Sequence, residues 1–401
     1  MSQPDAFIVD AIRTPRGRGS DKGSLKSLTP VALLGGLFAA LAKRRNFDTG
    51  RVTDAVIGCV TQTAEQSQNI GKLAALFAGW DDSVSGVTLN RYCASGLTAT
   101  NFAAMQAINS GRLAVGGGVE MMSRVPMASD KGPLTHDFGL QKQIDLVSIG
   151  VAADAVATME GFDRGQCDAY AATSQQRAAT ARTEGRFASL TPVAGADGAR
   201  LLEQDETIRP GTTREGLAGL APAFAEMGAK YGYDAVMKEK FGIATVDHVH
   251  HAGNSPATAD GGSLVLVGGE RAVREAGLEP RARILAMADA SVDRTIALTG
   301  AADATRIALE RAGLTANDID LFEVNESFAA LMLHYMKHLG IEPERLNVNG
   351  GAIALGHAMG ATGGSLVGMA LDELERRGAK RACVAICGAA GLATATIIER
   401  V

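Results

Sequence analysis

Short runs of β-branched and aliphatic residues alternate along the chain with longer Ala-rich stretches whose apolar positions recur at helical spacing. That alternation predicts an α/β protein with layers packed around buried sheets. Near the start, residues 6–10 and 55–60 read as strands, 29–44 and 95–110 as helices, and 113–115 as a further strand. On the second of these helices Leu97, Asn101, Ala104, Met105 and Ile108 share one face. Towards the end, 319–324 is expected to run as a strand into a helix over 326–339, and 381–386 with 392–398 as a closing pair of strands.

The middle of the chain changes character. Polar helices are expected around 168–186, a Gly/Pro-rich stretch follows over 191–223, and strand signals are few, so this part reads as an inserted, loop-like domain. The run Leu264-Val265-Leu266-Val267 then restores the buried-strand pattern. The expected organisation is residues 1–120 plus 246–275 as one half, 121–245 as the insert, and 276–401 as a second, similar half.

With 401 residues, 46% apolar and 21% charged, the chain is long enough for two or three cores. A formal charge of −5 gives no global basic field for nucleic acid or an anionic membrane, so an anionic ligand must be held locally. Residues 1–10 hold no cationic segment followed by an apolar run, and stretches such as 31–41 are too short and Gly-interrupted to span a bilayer; a cytoplasmic protein is expected. Five cysteines, Cys59, Cys93, Cys167, Cys383 and Cys387, are odd in number and lack metal-site spacing. Reduced thiols are expected, one or two of them chemical.

Four positions draw attention. Cys93 stands where a strand pattern passes through small residues into a helix, and a helix N-terminus favours the nucleophilic thiolate; the bland alternative is a buried structural thiol. His357 lies in Asn349-Gly350-Gly351-Ala352-Ile353-Ala354-Leu355-Gly356-His357, where glycines permit close backbone approach and an imidazole can move protons near neutral pH. That segment lacks the Lys-Ser/Thr of a P-loop and the spacing of a dinucleotide fingerprint. Cys387 ends a strand before Gly388-Ala389-Ala390-Gly391, and Asn325 ends another, where a helix cap is its commoner role. Two clusters suggest metal without completing a motif: His334 with His338, and Asp247-His248-Val249-His250-His251. A surface or packed pair is the expectation for the first, and no metal site is expected at either.

In order along the chain stand Ile12-Arg13-Thr14-Pro15, Asn90-x-x-Cys93-x-Ser95-Gly96, Gly117-Gly118-Val119-Glu120-Met121-Met122-Ser123, Asn325-Glu326-Ser327-Phe328-Ala329, the His357 segment and Cys387, with 32 residues from Asn325 to His357 and 30 from His357 to Cys387. Together they resemble the thiolase family over essentially the whole chain. The resemblance implies a five-layer αβαβα fold of two repeated halves, with the insert helping to bind coenzyme A. It implies a transferase of fatty acid metabolism that cleaves 3-ketoacyl-CoA, as in β-oxidation, or runs the reverse condensation. Cys93 would carry the acyl group, His357 would activate it, and Cys387 would act as acid and base. Asn325 with His357, and the backbone of Cys93 with that of Ala389, would stabilise oxyanions. Coenzyme A would meet Ala252, Ser255, Ser327 and Phe328; no permanent cofactor and no metal are implied, and a homodimer or homotetramer is.

Several positions depart from the family pattern. Ala358 follows His357 where Pro is usual, Ala389 and Ala390 replace two of three glycines, Pro256 stands where a pantetheine-contacting Ser is expected, Ala297-Leu298-Thr299-Gly300-Ala301 replaces a Met/Gly/Pro loop, and Ser327 replaces Ala. A decarboxylating condensing enzyme and an acyl-CoA-binding protein without turnover are the competing readings; the second thiol, Cys387, speaks against the former.

Overall fold

The computed structural model describes residues 5–401; Met1 to Pro4, part of the segment read for a leader, lie outside the described residues. The strand pattern resolves into one ladder of nine principal strands: β1 (Ala6–Arg13), β2 (Val52–Gly58), β3 (Ser85–Leu89), β4 (Leu113–Met121), β5 (Ala259–Gly269), β6 (Ala282–Ser291), β7 (Leu321–Val324), β8 (Arg381–Cys387) and β9 (Leu392–Arg400). Their spatial order is β7-β8-β9-β6-β1-β5-β4-β2-β3.

That order is a repetition. Outward from the antiparallel β1–β6 pair, one side reads β1-β5-β4-β2-β3 and the other β6-β9-β8-β7, each with two antiparallel pairings followed by a parallel one. On the first side β2 then pairs parallel with β3; on the second, Phe322 makes a parallel bridge to Leu346, so the chain near Leu346 occupies the place of β3. The helices follow suit. In the first half come α1 (Pro30–Arg45), α2 (Ile70–Phe77) and α3 (Ser95–Ser110). After the insert's α4 (Ile149–Glu160) and α5 (Arg164–Thr183), the second half supplies α6 (Gly300–Ala312), α7 (Ala329–Leu339) and α8 (Met359–Arg377).

Five layers result. Leu34, Leu37 and Phe38 of α1 and Ile70 and Ala74 of α2 pack on the outer face of the first half-sheet. Leu97 and Ala104 of α3 meet Leu366, Ala370 and Leu374 of α8 between the two half-sheets, and Leu309, Leu331 and Tyr335 of α6 and α7 cover the far face. Strands buried on both faces explain β4 and β5, whose residues are almost all buried and whose patterns are apolar or small apart from Glu120 and Asp260. Residues 122–258 contribute no strand to this sheet; a short hairpin of Val193–Ala194 and Arg200–Leu202 stands apart. The insert is tied down by a fully buried, two-pronged bond from Arg13 to Asp205, at 2.7 and 2.8 Å.

Three local expectations change. The helix expected from 326 begins at Ala329, because the chain bends at Ser327, whose N–H donates to the Asn325 carbonyl, and Phe328 is extended in its cap position at φ −161°. Asn325 is therefore not a helix cap, and its side chain is left free for other work. Met105 is 41% exposed although it shares the expected face of α3 with buried Leu97 and Ala104.

Candidate active site

The repetition places the turn before α3 and the turn before α8 in equivalent positions, and the two helix starts touch. A Cβ on Gly363 would lie 2.1 Å from the Leu97 nitrogen, so only glycine lets α8 come this close to α3. Glu120, wholly buried at the end of β4, braces the junction: it accepts from the backbone N–H groups of Val60, Thr61 and Gly360 and from Gln66 Nε2.

The turn that presents Cys93 is held by its own motif. Asn90 Oδ1 accepts from the Tyr92 N–H, Ser95 Oγ accepts from the Arg91 N–H and donates to the Tyr92 carbonyl, and Tyr92 adopts a left-handed φ of 49°. The expectation that a helix end lowers the Cys93 pKa is corrected. The helix starts at Ser95 with Ala94 in the cap position, so Cys93 lies outside it, and burial, with Cys387 and Glu120 nearby, pushes its thiol up to about 12.

Opposite it, the strand end that carries Cys387 abuts the same turn: a Cβ on Gly388 would lie 2.9 Å from the Arg91 carbonyl oxygen. Cys387 is buried, and burial pushes it up to about 11 against the pull of a hydrogen bond with Ser327 Oγ at 3.1 Å. Asn325 Nδ2 donates to that same hydroxyl at 2.9 Å, while Asn325 Oδ1 has no partner within the protein. His357 is fixed through its N–H to the Ala257 carbonyl and through Nδ1 to Thr362 Oγ1 at 2.9 Å; its buried Nε2 has no protein partner. Burial, with Arg16 nearby, pulls the imidazole down to about 3. At neutral pH both thiols are thus protonated and the imidazole is neutral, ready to accept rather than already charged.

The 252–257 loop runs from this centre to a groove. The Asn254 carbonyl accepts from the Ala329 N–H, next to Phe328, and Ala257 holds His357. Ala252 and Ser255 line the groove with Gln175, Thr207, Leu217 and Ile353, and buried Ser255 Oγ has no protein partner. Phe328 is buried edge-on against His250 and Phe224. Ala297 and Leu298 belong to the same apolar cluster as Phe328 and Cys387. Ala389 is half-buried, and the left-handed residue of its turn is Ala390, at φ 56°. The structure thus brings the segments of Cys93, Cys387, Asn325, Ser327 and Ala389 together and reaches Ser255 and Ala252 through the His357 loop.

Two supports escaped the sequence reading. Thr362 is an ordinary helical Thr until His357 folds onto it. Glu326 lies within a quoted motif, yet its role is visible only in three dimensions, where it accepts from Tyr170, Ser174, Asn347 and the Ile353 N–H and so anchors the segment leading to His357. In the histidine clusters, His248 and His250 bond Asp154 and His251 bonds Asp168, while His334 and His338 share Glu160 with Lys337, the ligand atoms of Glu160, His334 and His338 all lying within 4.8 Å of one another.

A layered αβαβα fold that brings the segments of two thiols and an amide together, with an imidazole on the loop that leads to a groove, fits an acyl-transfer site built on cysteine chemistry. The thiolase N-terminal domain model matches residues 6–235 and the thiolase C-terminal domain model residues 278–400. The chain is 40% identical to a 3-ketoacyl-CoA thiolase of Cronobacter sakazakii over 98% of its length and 99% of the relative's. It is 39% identical to those named 3-ketoacyl-CoA thiolase in Aliivibrio fischeri and Aeromonas hydrophila, over 99% of the chain and 99% and 100% of theirs. The chain belongs to the thiolase family and is an acyltransferase of the thiolase type.

Proposed function

We propose that the protein is an acetyl-CoA C-acyltransferase that cleaves 3-ketoacyl-CoA with coenzyme A, and that the same groups run the reverse condensation. Nε2 of His357 takes the Cys93 proton, and the thiolate adds to the 3-keto carbon. The C2–C3 bond breaks, leaving an acyl thioester on Cys93 and an acetyl-CoA enolate, which the Cys387 thiol protonates. The Cys387 thiolate then deprotonates the incoming coenzyme A, whose sulfur displaces Cys93, and His357 returns its proton. His357 with Asn325, and the backbone N–H groups of Cys93 and Ala389, stabilise the oxyanions.

The observation that supports this reading is the convergence of the Cys93 turn on the end of β8 at Gly388, with Cys387 near enough to raise the Cys93 thiol. Coenzyme A meets Ala252 and Ser255 on the loop that leads to His357, and Ser327 and Phe328 beyond it; Arg209, which lines the groove with Ala252 and Ser255, supplies a cation for phosphate. The loop Ala297–Ala301, whose Ala297 and Leu298 cluster with Phe328, is the proposed determinant of acyl length.

The proposed division keeps residues 1–120 with 246–275 as one half, 121–245 as the insert and 276–401 as the other half; the absence of main-sheet strands over 122–258 supports it. A homo-oligomer accords with β3, which pairs on one side only and exposes Val87, and with the exposed Phe77 of α2 and Phe102 and Met105 of α3. No helix among the described residues is long and apolar enough to cross a membrane, and a cytoplasmic, reducing setting accords with five free cysteines. The test is coenzyme A-dependent loss of 3-keto absorbance with substrates from four carbons upward. Turnover with a chain-length optimum is expected; binding of coenzyme A without turnover at any length overturns the proposal in favour of an acyl-CoA-binding protein.

A further inference from the structure

A hydroxyl stands between the amide of Asn325 and the sulfur of Cys387. Asn325 Nδ2 lies 2.9 Å and Cys387 Sγ 3.1 Å from Ser327 Oγ, and the three residues are 1%, 3% and 8% exposed for Asn325, Cys387 and Ser327. Position is fixed on both sides. The Ser327 N–H donates to the Asn325 carbonyl, the Asn325 N–H to the Ala385 carbonyl, and the strands that deliver both segments pair in register up to Val324 and Ala385.

The proton inventory allows few arrangements. An amide nitrogen only donates, so Asn325 occupies a lone pair of Ser327 Oγ. When Cys387 is a thiol, the Ser–Cys contact can run either way. When Cys387 is a thiolate, its sulfur has no proton and Ser327 must donate to it. The thiolate state therefore has one continuous chain, from Asn325 Nδ2–H to Ser327 Oγ and from Ser327 Oγ–H to Cys387 Sγ. Each donation polarises the next.

We infer that Ser327 is a further catalytic group, whose hydroxyl holds the Cys387 thiolate that exists between the two halves of the reaction and couples it to Asn325. The inference rests on the acid–base reading of Cys387 given above. In the first half the Cys387 S–H bond breaks as its proton passes to the acetyl-CoA enolate carbon; in the second the thiolate sulfur takes the proton of the coenzyme A thiol. Ser327 forms no covalent bond and keeps its own proton throughout. Its effect is to make Cys387 a stronger acid in the first step and to keep the thiolate in place for the second. With Ala at this position, as the family pattern has it, that hydroxyl would be missing.

Alkylation of Cys387 by iodoacetamide, mapped by peptide mass in a Cys93→Ala background, tests this without turnover. A hydrogen bond to a charged group favours that form by about one to two pH units, and the stronger nucleophilicity of the less acidic thiolate offsets about half of this, so at a fixed pH of 8 Ser327→Ala should slow alkylation about 3–10-fold. Ser327→Thr, which keeps the hydroxyl, should stay within about threefold. A purely steric role predicts the opposite sign, because Ala opens the site. In the otherwise unaltered enzyme Ser327→Ala should lower kcat more than it changes KM. An unchanged or faster alkylation rate on Ser327→Ala, with thiolysis of 3-ketoacyl-CoA intact in the Cys93-bearing parent, overturns the inference alone. Slower alkylation on Ser327→Ala, with no thiolysis in the Cys93-bearing parent, overturns the acid–base reading and leaves the hydrogen bond standing.

Discussion

Thr362→Val isolates the bond that orients the proposed base. Thr362 is 1% exposed and touches His357 Nδ1 at 2.9 Å, while Nε2 faces away without a protein partner. For Nε2 to take the Cys93 proton, Nδ1 must carry its hydrogen and donate it to Thr362. Such a bond contributes about 0.5–1.5 kcal/mol to a neutral ring and about 1.5–3 kcal/mol to the imidazolium that forms on proton transfer. The difference, about 1–1.5 kcal/mol, acts only as charge develops, so its loss should lower kcat about 5–12-fold. Valine is close in volume, and Thr362 does not line the groove, so KM should change little. Steady-state thiolysis by Thr362→Val, with Thr362→Ser expected to retain most activity, is the assay. A kcat within twofold of the parent, or a loss confined to KM, would refute the reasoning.

Other consequences follow from the same structure. Asn325→Ala should cost about 10²–10³ in kcat, the usual effect of removing an oxyanion donor, and a normal kcat with a raised KM would contradict that role. Glu160, held by Lys337, His338 and His334, and Glu373, held by Arg376, Asn349 and Arg377, are both depressed to about 2. Because their folded pKa values lie below the ordinary carboxylate range, the stability they give is complete above about pH 4.5 and is lost as pH falls towards 2. Melting temperature should drop through that window, and Glu373→Gln should flatten the drop; an unaltered pH profile would count against it. Ala390→Gly relieves a left-handed φ at about 1–2 kcal/mol while adding about 0.4–1 kcal/mol of unfolded-state freedom, so urea unfolding should show a variant between neutral and about 1.5 kcal/mol more stable. A variant destabilised by more than about 1 kcal/mol would show that the backbone at 390 is held for another reason.

Much of this architecture is legible along the chain because burial on both faces leaves a plain signature. β4, β5, β8 and β9 coincide with apolar or small-residue runs, and α3 keeps its expected bounds. The start of α7 is not legible: residues 325–328 carry helix-compatible side chains, but contacts of Asn325, Glu326 and Ser327 hold them out of the helix. The pKa of Cys93 is likewise a property of its surroundings. Proximity to a helix start argues one way on paper, while burial and the nearby Cys387 and Glu120 decide the other. The mirrored strand order, which aligns the Cys93 and His357 turns, depends on pairings between residues more than a hundred positions apart, such as Phe7 with Gly268 and with Arg283.

The central claim is that Cys93, and not Cys387, carries the acyl group. Brief incubation with an acyl-CoA and no free coenzyme A should leave a thioester adduct, located by rapid quenching and peptide mass mapping. The account predicts the adduct on the peptide containing Cys93, its absence in Cys93→Ala, and its discharge on adding coenzyme A. An adduct on Cys387, or turnover of 3-ketoacyl-CoA by the Cys93→Ala protein, would contradict it.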